Sequence, residues 1–159
     1  MKKAFTMIEL IFVIVILGIL AAVALPKFVG VAQEAREGNL KSFVGTLNRT
    51  VGPTLWSQAL KDYSGNIGNY ASNTSINLSN YVDIPKEIKV GDYGISNCDD
   101  ETKFKVIAKI NKDTMGGDKY YYVLCKSGTN AEAPKFKLVK STESVDLGSD
   151  QPNSAEEVK

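Results

Sequence analysis

The chain has 159 residues, 43% of them hydrophobic and 23% charged, with 19 basic against 18 acidic side chains. That size suits one modest domain, and a net charge of +1 with no basic stripe gives no argument for a nucleic-acid binder or a receptor for acidic ligands. Histidine is absent, which removes the commonest general base and the commonest metal ligand together.

The chain opens MKKAFTMIELIFVIVILGILAAVALPK. Between Phe5 and Leu25, a run of 21 residues, only Thr6 and Glu9 are polar. A helix rising about 1.5 Å per residue would carry that run through roughly 31 Å, enough for a bilayer core of about 30 Å. Glu9 is the odd residue, because a carboxylate in hydrocarbon is costly and is a functional candidate by default. Three readings compete. One is a plain anchor, with Lys2 and Lys3 held inside by the positive-inside rule. A second is a secretory signal peptide, with Ala22-Val23-Ala24 as its small-x-small cleavage site. Glu9 intrudes near the start of the apolar run and speaks against that one.

In the third reading the segment resembles the class III signal and N-terminal helix of type IV pilins and the related secretion pseudopilins. The residues that carry the resemblance are the basic leader Lys2-Lys3-Ala4, then Phe5-Thr6-Met7-Ile8-Glu9, Gly18 in mid-run and Pro26 closing it. Ala4 stands where the family usually has glycine. The resemblance implies cleavage by a prepilin peptidase between Ala4 and Phe5, N-methylation of Phe5, and pairing of Glu9 with a terminal amine of a neighbouring subunit to set axial register. It also implies that the helix between Gly18 and Pro26 can unwind in a filament. Residue i+4 lies on the same helix face, so Glu9 could equally neutralise the amine of its own Phe5. Removing Lys2 and Lys3 from the 19 basic residues leaves 17 against 18 acidic, a net −1 for the mature chain. The run Ala24-Leu25-Pro26-Lys27-Phe28 leans towards pilins of the mannose-sensitive haemagglutinin-like kind, which serve adhesion.

Beyond Pro26 the pattern turns amphipathic. Phe28, Ala32, Ala35, Phe43, Leu47, Val51 and Leu55 recur at helical spacing, an apolar stripe to lay on a domain. Pro26 should kink or loosen the helix. Gly52-Pro53 should interrupt it, leaving 53–62 as a kinked extension or as a separate helix with Pro53 in its first turn. Residues 63–95 are rich in Gly, Asn and Ser and read as irregular, with a short strand near Ile88–Val90. Asn48, Asn73 and Asn77 sit in simple glycosylation sequons and are taken as unmodified.

Phe104, Val106, Ala108 and Ile110 alternate with lysines, as in a strand with one face in water. KYYYVLCK (119–126) and KFKLVK (135–140) follow, with turn residues between them, so an antiparallel meander is expected. Cys98 and Cys125 are the only cysteines. An even count outside the cytoplasm favours a bridge, and a two-cysteine loop in the C-terminal half is also a pilin habit. The polar stretch after Ser141 reads as a flexible tail. Its Asp146, Asp150, Glu156 and Glu157 could attract calcium but lack EF-hand spacing, and the Asp-Pro-Trp-Gly segment usual in secretion pseudopilins is missing.

The expected organisation is a leader at 1–4, a transmembrane or filament-core helix at 5–25, its amphipathic half at 26–62, a variable loop at 63–100, an antiparallel sheet at 101–141 and a tail at 142–159. The fold class is α+β and type IV pilin-like: a long N-terminal helix, half of it transmembrane, with a C-terminal antiparallel meander. No cofactor, metal or catalytic constellation is expected. The function implied is a structural subunit of a type IV pilus-like filament, held in the bacterial inner membrane with its domain in the periplasm before assembly. Its partners would be further copies of itself, the prepilin peptidase and the inner-membrane assembly machinery. A type II secretion pseudopilin is the alternative, and a membrane-anchored enzyme the alternative from another class.

Overall fold

A computed structural model describes residues 5–158 of the chain, without the side chains of residues 25–29. The chain divides into two compact units, Met1–Ala35 and Arg36–Lys159. In the first, helix α1 (Met7–Thr46) begins, and every described side chain from Phe5 to Val23 is exposed. Met7–Ala24 is long and apolar enough to cross a membrane. The kink expected at Pro26 and the cleavage residue Ala4 fall outside the description.

The second unit is built around the remainder of α1. Leu40, Phe43, Val44, Leu47, Val51, Leu55 and Ala59 are all buried at helical spacing, so the expected stripe faces the core from Phe43 onward; its earlier members Ala32 and Ala35 are exposed, which corrects that part of the expectation. At Leu47–Val51 the helix widens to a π turn before continuing as α2 (Gly52–Ala59). Pro53 explains the widening. It has no N–H, and in a regular helix its ring would strike the carbonyl four residues back. In the wider turn the Gly52 N–H reaches back five residues to the Leu47 carbonyl. The Gly52-Pro53 pair therefore neither ends the helix nor begins an independent one. Asn48, in the same turn, joins the helix to the sheet: its Nδ2 donates to the Phe136 carbonyl at 2.8 Å, and the Phe136 N–H donates to its Oδ1 at 2.9 Å.

The span expected as an irregular loop contains helix α3 (Ile67–Thr74), started by Asn66, whose side chain accepts from the Asn69 N–H at 3.0 Å. Single 3₁₀ turns follow at Leu78–Asn80 and Ile95–Asn97. The strand expected at Ile88–Val90 is absent. That stretch is taken up by two turns, in which Ile88 N–H bonds the Pro85 carbonyl and Asp92 N–H bonds the Lys89 carbonyl. Sheet-like pairing comes just afterwards, where Gly94 N–H meets the Ile107 carbonyl at 2.8 Å and Lys109 N–H meets the Asp92 carbonyl at 2.9 Å.

Strands β1 (Lys105–Ile110), β2 (Tyr120–Lys126), β3 (Lys135–Ser141) and β4 (Glu156–Glu157) form one antiparallel sheet in chain order, with the short helix α4 (Lys112–Met115) between β1 and β2. Val106 pairs with Leu124 but Ala108 pairs with Val123, so Ile107 is a bulge residue. The bulge puts Val106 on one face and Ala108 and Ile110 on the other, which corrects the expectation of a single alternating apolar face. Tyr121, Val123, Cys125 and Leu138 join the helical stripe in the main core. On the opposite face, Val106, Tyr122, Leu124 and Val139 are covered by Val145, Leu147 and Ala155.

Those covering residues belong to the segment expected as a flexible tail, and that expectation is corrected here. The segment is tied down by β4, by the Lys105–Asp150 bridge and by Tyr122, whose hydroxyl donates to the Glu143 carbonyl at 2.8 Å. Both faces of β2 need cover, and the tail supplies the second one. With the long apolar helix leading into further helices and an antiparallel sheet, the fold is α+β of the pilin-like kind expected.

Candidate functional site

The residues singled out by chemistry lie at the start of α1. Thr6 is the residue before the first helical one, and Glu9 is the third inside. The Glu9 carboxylate reaches back to accept from the Thr6 N–H at 2.9 Å and from the Thr6 hydroxyl at 2.7 Å, while the Glu9 N–H faces the Thr6 hydroxyl oxygen at 3.4 Å. This is a reciprocal capping box, two otherwise orphaned helix-end donors satisfied by one Thr/Glu pair. Sequence reasoning singled out Glu9 and passed over Thr6. The signal was present, since Thr-x-x-Glu leading into an apolar run is the sequence form of that box.

Phe5 is 85% exposed and lies just outside the helix. Gly18, in mid-run, has nothing within 4 Å of where a Cβ would stand. Glu9 is the only charged side chain between Phe5 and Ala24. The arrangement presents an apolar rod with one carboxylate near its end, held on its own chain and accessible.

Cys98 and Cys125 are joined, with their Cα atoms 5.4 Å apart and both residues fully buried. The bridge ties the end of the 3₁₀ turn at Ile95–Asn97 to the C-terminal end of β2. Beside it Gly68 N–H donates to the Cys98 carbonyl at 3.0 Å, an approach that leaves no room for a Cβ at position 68.

The acidic residues weighed as calcium ligands are largely engaged by lysines of the sheet region. Asp150 accepts from Lys105 at 2.7 Å and Lys103 at 3.1 Å, Glu156 from Lys119 at 2.8 Å, and Asp146 lies 3.5 Å from Lys109. These lysines hold the Asp150 and Glu156 carboxyls below their ordinary range, and the carboxylates in turn raise Lys105 and Lys119. Burial pushes the Glu37 carboxyl upwards, but hydrogen bonds from the Tyr121 hydroxyl (2.9 Å) and Lys41 (3.2 Å) outweigh it and leave Glu37 below its usual value. Among the described residues, no three Cys, Asp or Glu side chains converge to hold a metal ion.

Residues 1–25 match the family model of the prokaryotic N-terminal methylation motif, a span that includes Lys2, Lys3, Phe5 and Glu9. Over 38 residues the chain is 53% identical to the type IV narrow pilus major component PilA5 of Thermus thermophilus. The likeness covers 24% of this chain and 33% of that protein, so the chain spans about a third of the length of the curated relative it matches. No solved structure matches.

Proposed function

We propose that this chain is a structural subunit of a type IV pilus-like filament, cut between Ala4 and Phe5 by a prepilin peptidase, methylated on Phe5 and drawn from the inner membrane into a helical polymer. The observation that carries the reading is the methylation motif at residues 1–25 continuing into a helix whose side chains are apolar and exposed from Met7 to Val23, with Glu9 as the sole exception. Apolar side chains displayed on all faces need lipid, or the helices of other copies, to cover them. Neither host distinguishes one apolar helix from another by hydrophobicity alone. Register must therefore come from packing and from the one charge, and a Glu9 left unpaired among helices is penalised. The amine created at Phe5 is the nearest cation that cleavage supplies. Surface adhesion or motility is the role this reading assigns to the filament.

The test is intact-mass and N-terminal peptide spectrometry of protein sheared from the cell surface. The expected product begins at methylated Phe5 and is abundant in the sheared fraction. Correct processing with near absence from that fraction would shift the reading to a secretion pseudopilin. A start at Leu25, or an uncut Met1, would remove the filament reading altogether.

A further inference from the structure

Between the α1 residues Asn39–Thr46 and the turns at 81–87 lies a groove of about 670 Å³, lined by Asn39, Ser42, Phe43, Val82, Pro85 and Glu87 among others. Glu87 is the anomaly. It is only 3% exposed, and its Oε1 is buried without a hydrogen-bond partner. Lys86, next to it in the chain, is exposed and forms no ion pair with it. A carboxylate taken out of water without a partner is expensive, and a glutamine or leucine would fill the same space at lower cost.

The groove's chemistry names what would complete it. Phe43, Val82 and Pro85 line the groove together with Glu87, apolar surface for an aliphatic stem and a carboxylate for a cationic head, the division found along lysine and arginine side chains. A metal ion suits it poorly, since no cluster of three acidic or sulfur ligands exists among the described residues. The complementary charge is present on the same domain: Arg49, Lys61 and Lys89 are exposed and make no ion pair among the described residues.

We propose that this groove is a docking site for a second copy of the chain, which inserts a lysine or arginine side chain to pair with Glu87. The inference rests on the filament reading to bring identical domains together. In the free subunit Glu87 is a standing cost, and contact between copies removes it. The groove therefore favours association without stabilising the monomer.

The test coexpresses two differently tagged full-length copies, extracts them from the membrane and measures their co-purification beside the yield of sheared filaments. Glu87→Gln and Glu87→Leu should each lower co-purification at least about thirtyfold, the small end of what loss of one partner in a desolvated charge pair does. The unfolding midpoint of the solubilised subunit should stay level or rise. Unchanged co-purification overturns the proposal. So does a loss of pairing accompanied by a fall in midpoint in the Gln variant, which makes Glu87 a structural residue. Dissociation of wild-type copies by EDTA also overturns it, assigning the groove to a divalent ion. Pairing that depends on Glu87 in cells without filaments keeps this inference and removes the filament reading instead.

Discussion

Asp100 shows how much one exposed carboxylate can be asked to hold. Its Oδ1 accepts from the Lys103 N–H at 2.8 Å, the Thr102 hydroxyl at 2.8 Å and the Thr102 N–H at 2.7 Å. These bonds favour the charged form and lower its pKa to about 2. Its carbonyl meanwhile accepts from Ser127 N–H at 2.7 Å, so the turn that follows Cys98 is fastened to the end of β2. A carboxyl whose folded value lies below its unfolded value of roughly 3.9 contributes stability that is complete above that value. The contribution is lost as pH falls through the folded value. The expected result is a thermal midpoint that declines between about pH 4 and pH 2. Asp100→Asn, whose amide oxygen can still accept but cannot titrate, should show a shallower decline in that window. Some slope must remain, because Asp150, Glu156 and Glu37 are lowered as well. Superimposable pH profiles would dissociate Asp100 from the acid sensitivity.

The helices make a sharper test, because one substitution should carry opposite signs at two sites. Alanine exceeds glycine in helix propensity by about 1 kcal/mol. At Gly38, where an added Cβ meets nothing within 4 Å, that gain is unopposed, and Gly38→Ala should stabilise by about 0.5–1 kcal/mol. At Gly52 the Cβ would stand 2.8 Å from the Phe136 ring and 2.9 Å from the Leu47 carbonyl oxygen. Overpacking of that kind costs about 1–3 kcal/mol, so Gly52→Ala should be destabilising despite its propensity. Urea midpoints of the solubilised chain decide both, and equal shifts at the two sites would contradict the packing account. The same contrast explains what could be read in advance. The stripe at Phe43, Leu47, Val51 and Leu55 and the three main strands follow from periodicity that burial enforces. Helix α3 hangs on a single Asn66 cap inside a Gly- and Asn-rich stretch whose composition reads as loop. The tail's role was missed because a few scattered apolar residues carry it, among them Val145, Leu147 and Ala155 on one face of the sheet and Val158 on the main core. The nearest hint was KYYYVLCK itself, too continuously apolar for a strand with one wet face.

For the whole molecule, one carboxylate has two claimants. In the uncut chain Glu9 is satisfied by Thr6 of its own helix, and under the proposed cleavage the Phe5 amine would compete for it. Capping tolerates glutamine in place of glutamate, whereas charge neutralisation does not. Glu9→Gln should therefore keep the helix start, membrane insertion and subunit accumulation while filament yield falls about tenfold or more, as expected when a charge pair buried among helices loses one member. Glu9→Leu should lose the cap as well as the charge, with the same failure of assembly. Thr6→Val separates the other half: the cap is lost, at about 1 kcal/mol for the helix end, but the charge proposed to set register remains. Filaments from Thr6→Val should persist at reduced yield. Measured together by sheared-filament yield against membrane-bound subunit, the three variants order as Thr6→Val above Glu9→Gln, with Glu9→Leu lowest or level with it. Wild-type yield from Glu9→Gln would mean that the carboxylate matters to this protein only as a helix cap, and that axial register is set by the packing of the apolar side chains alone.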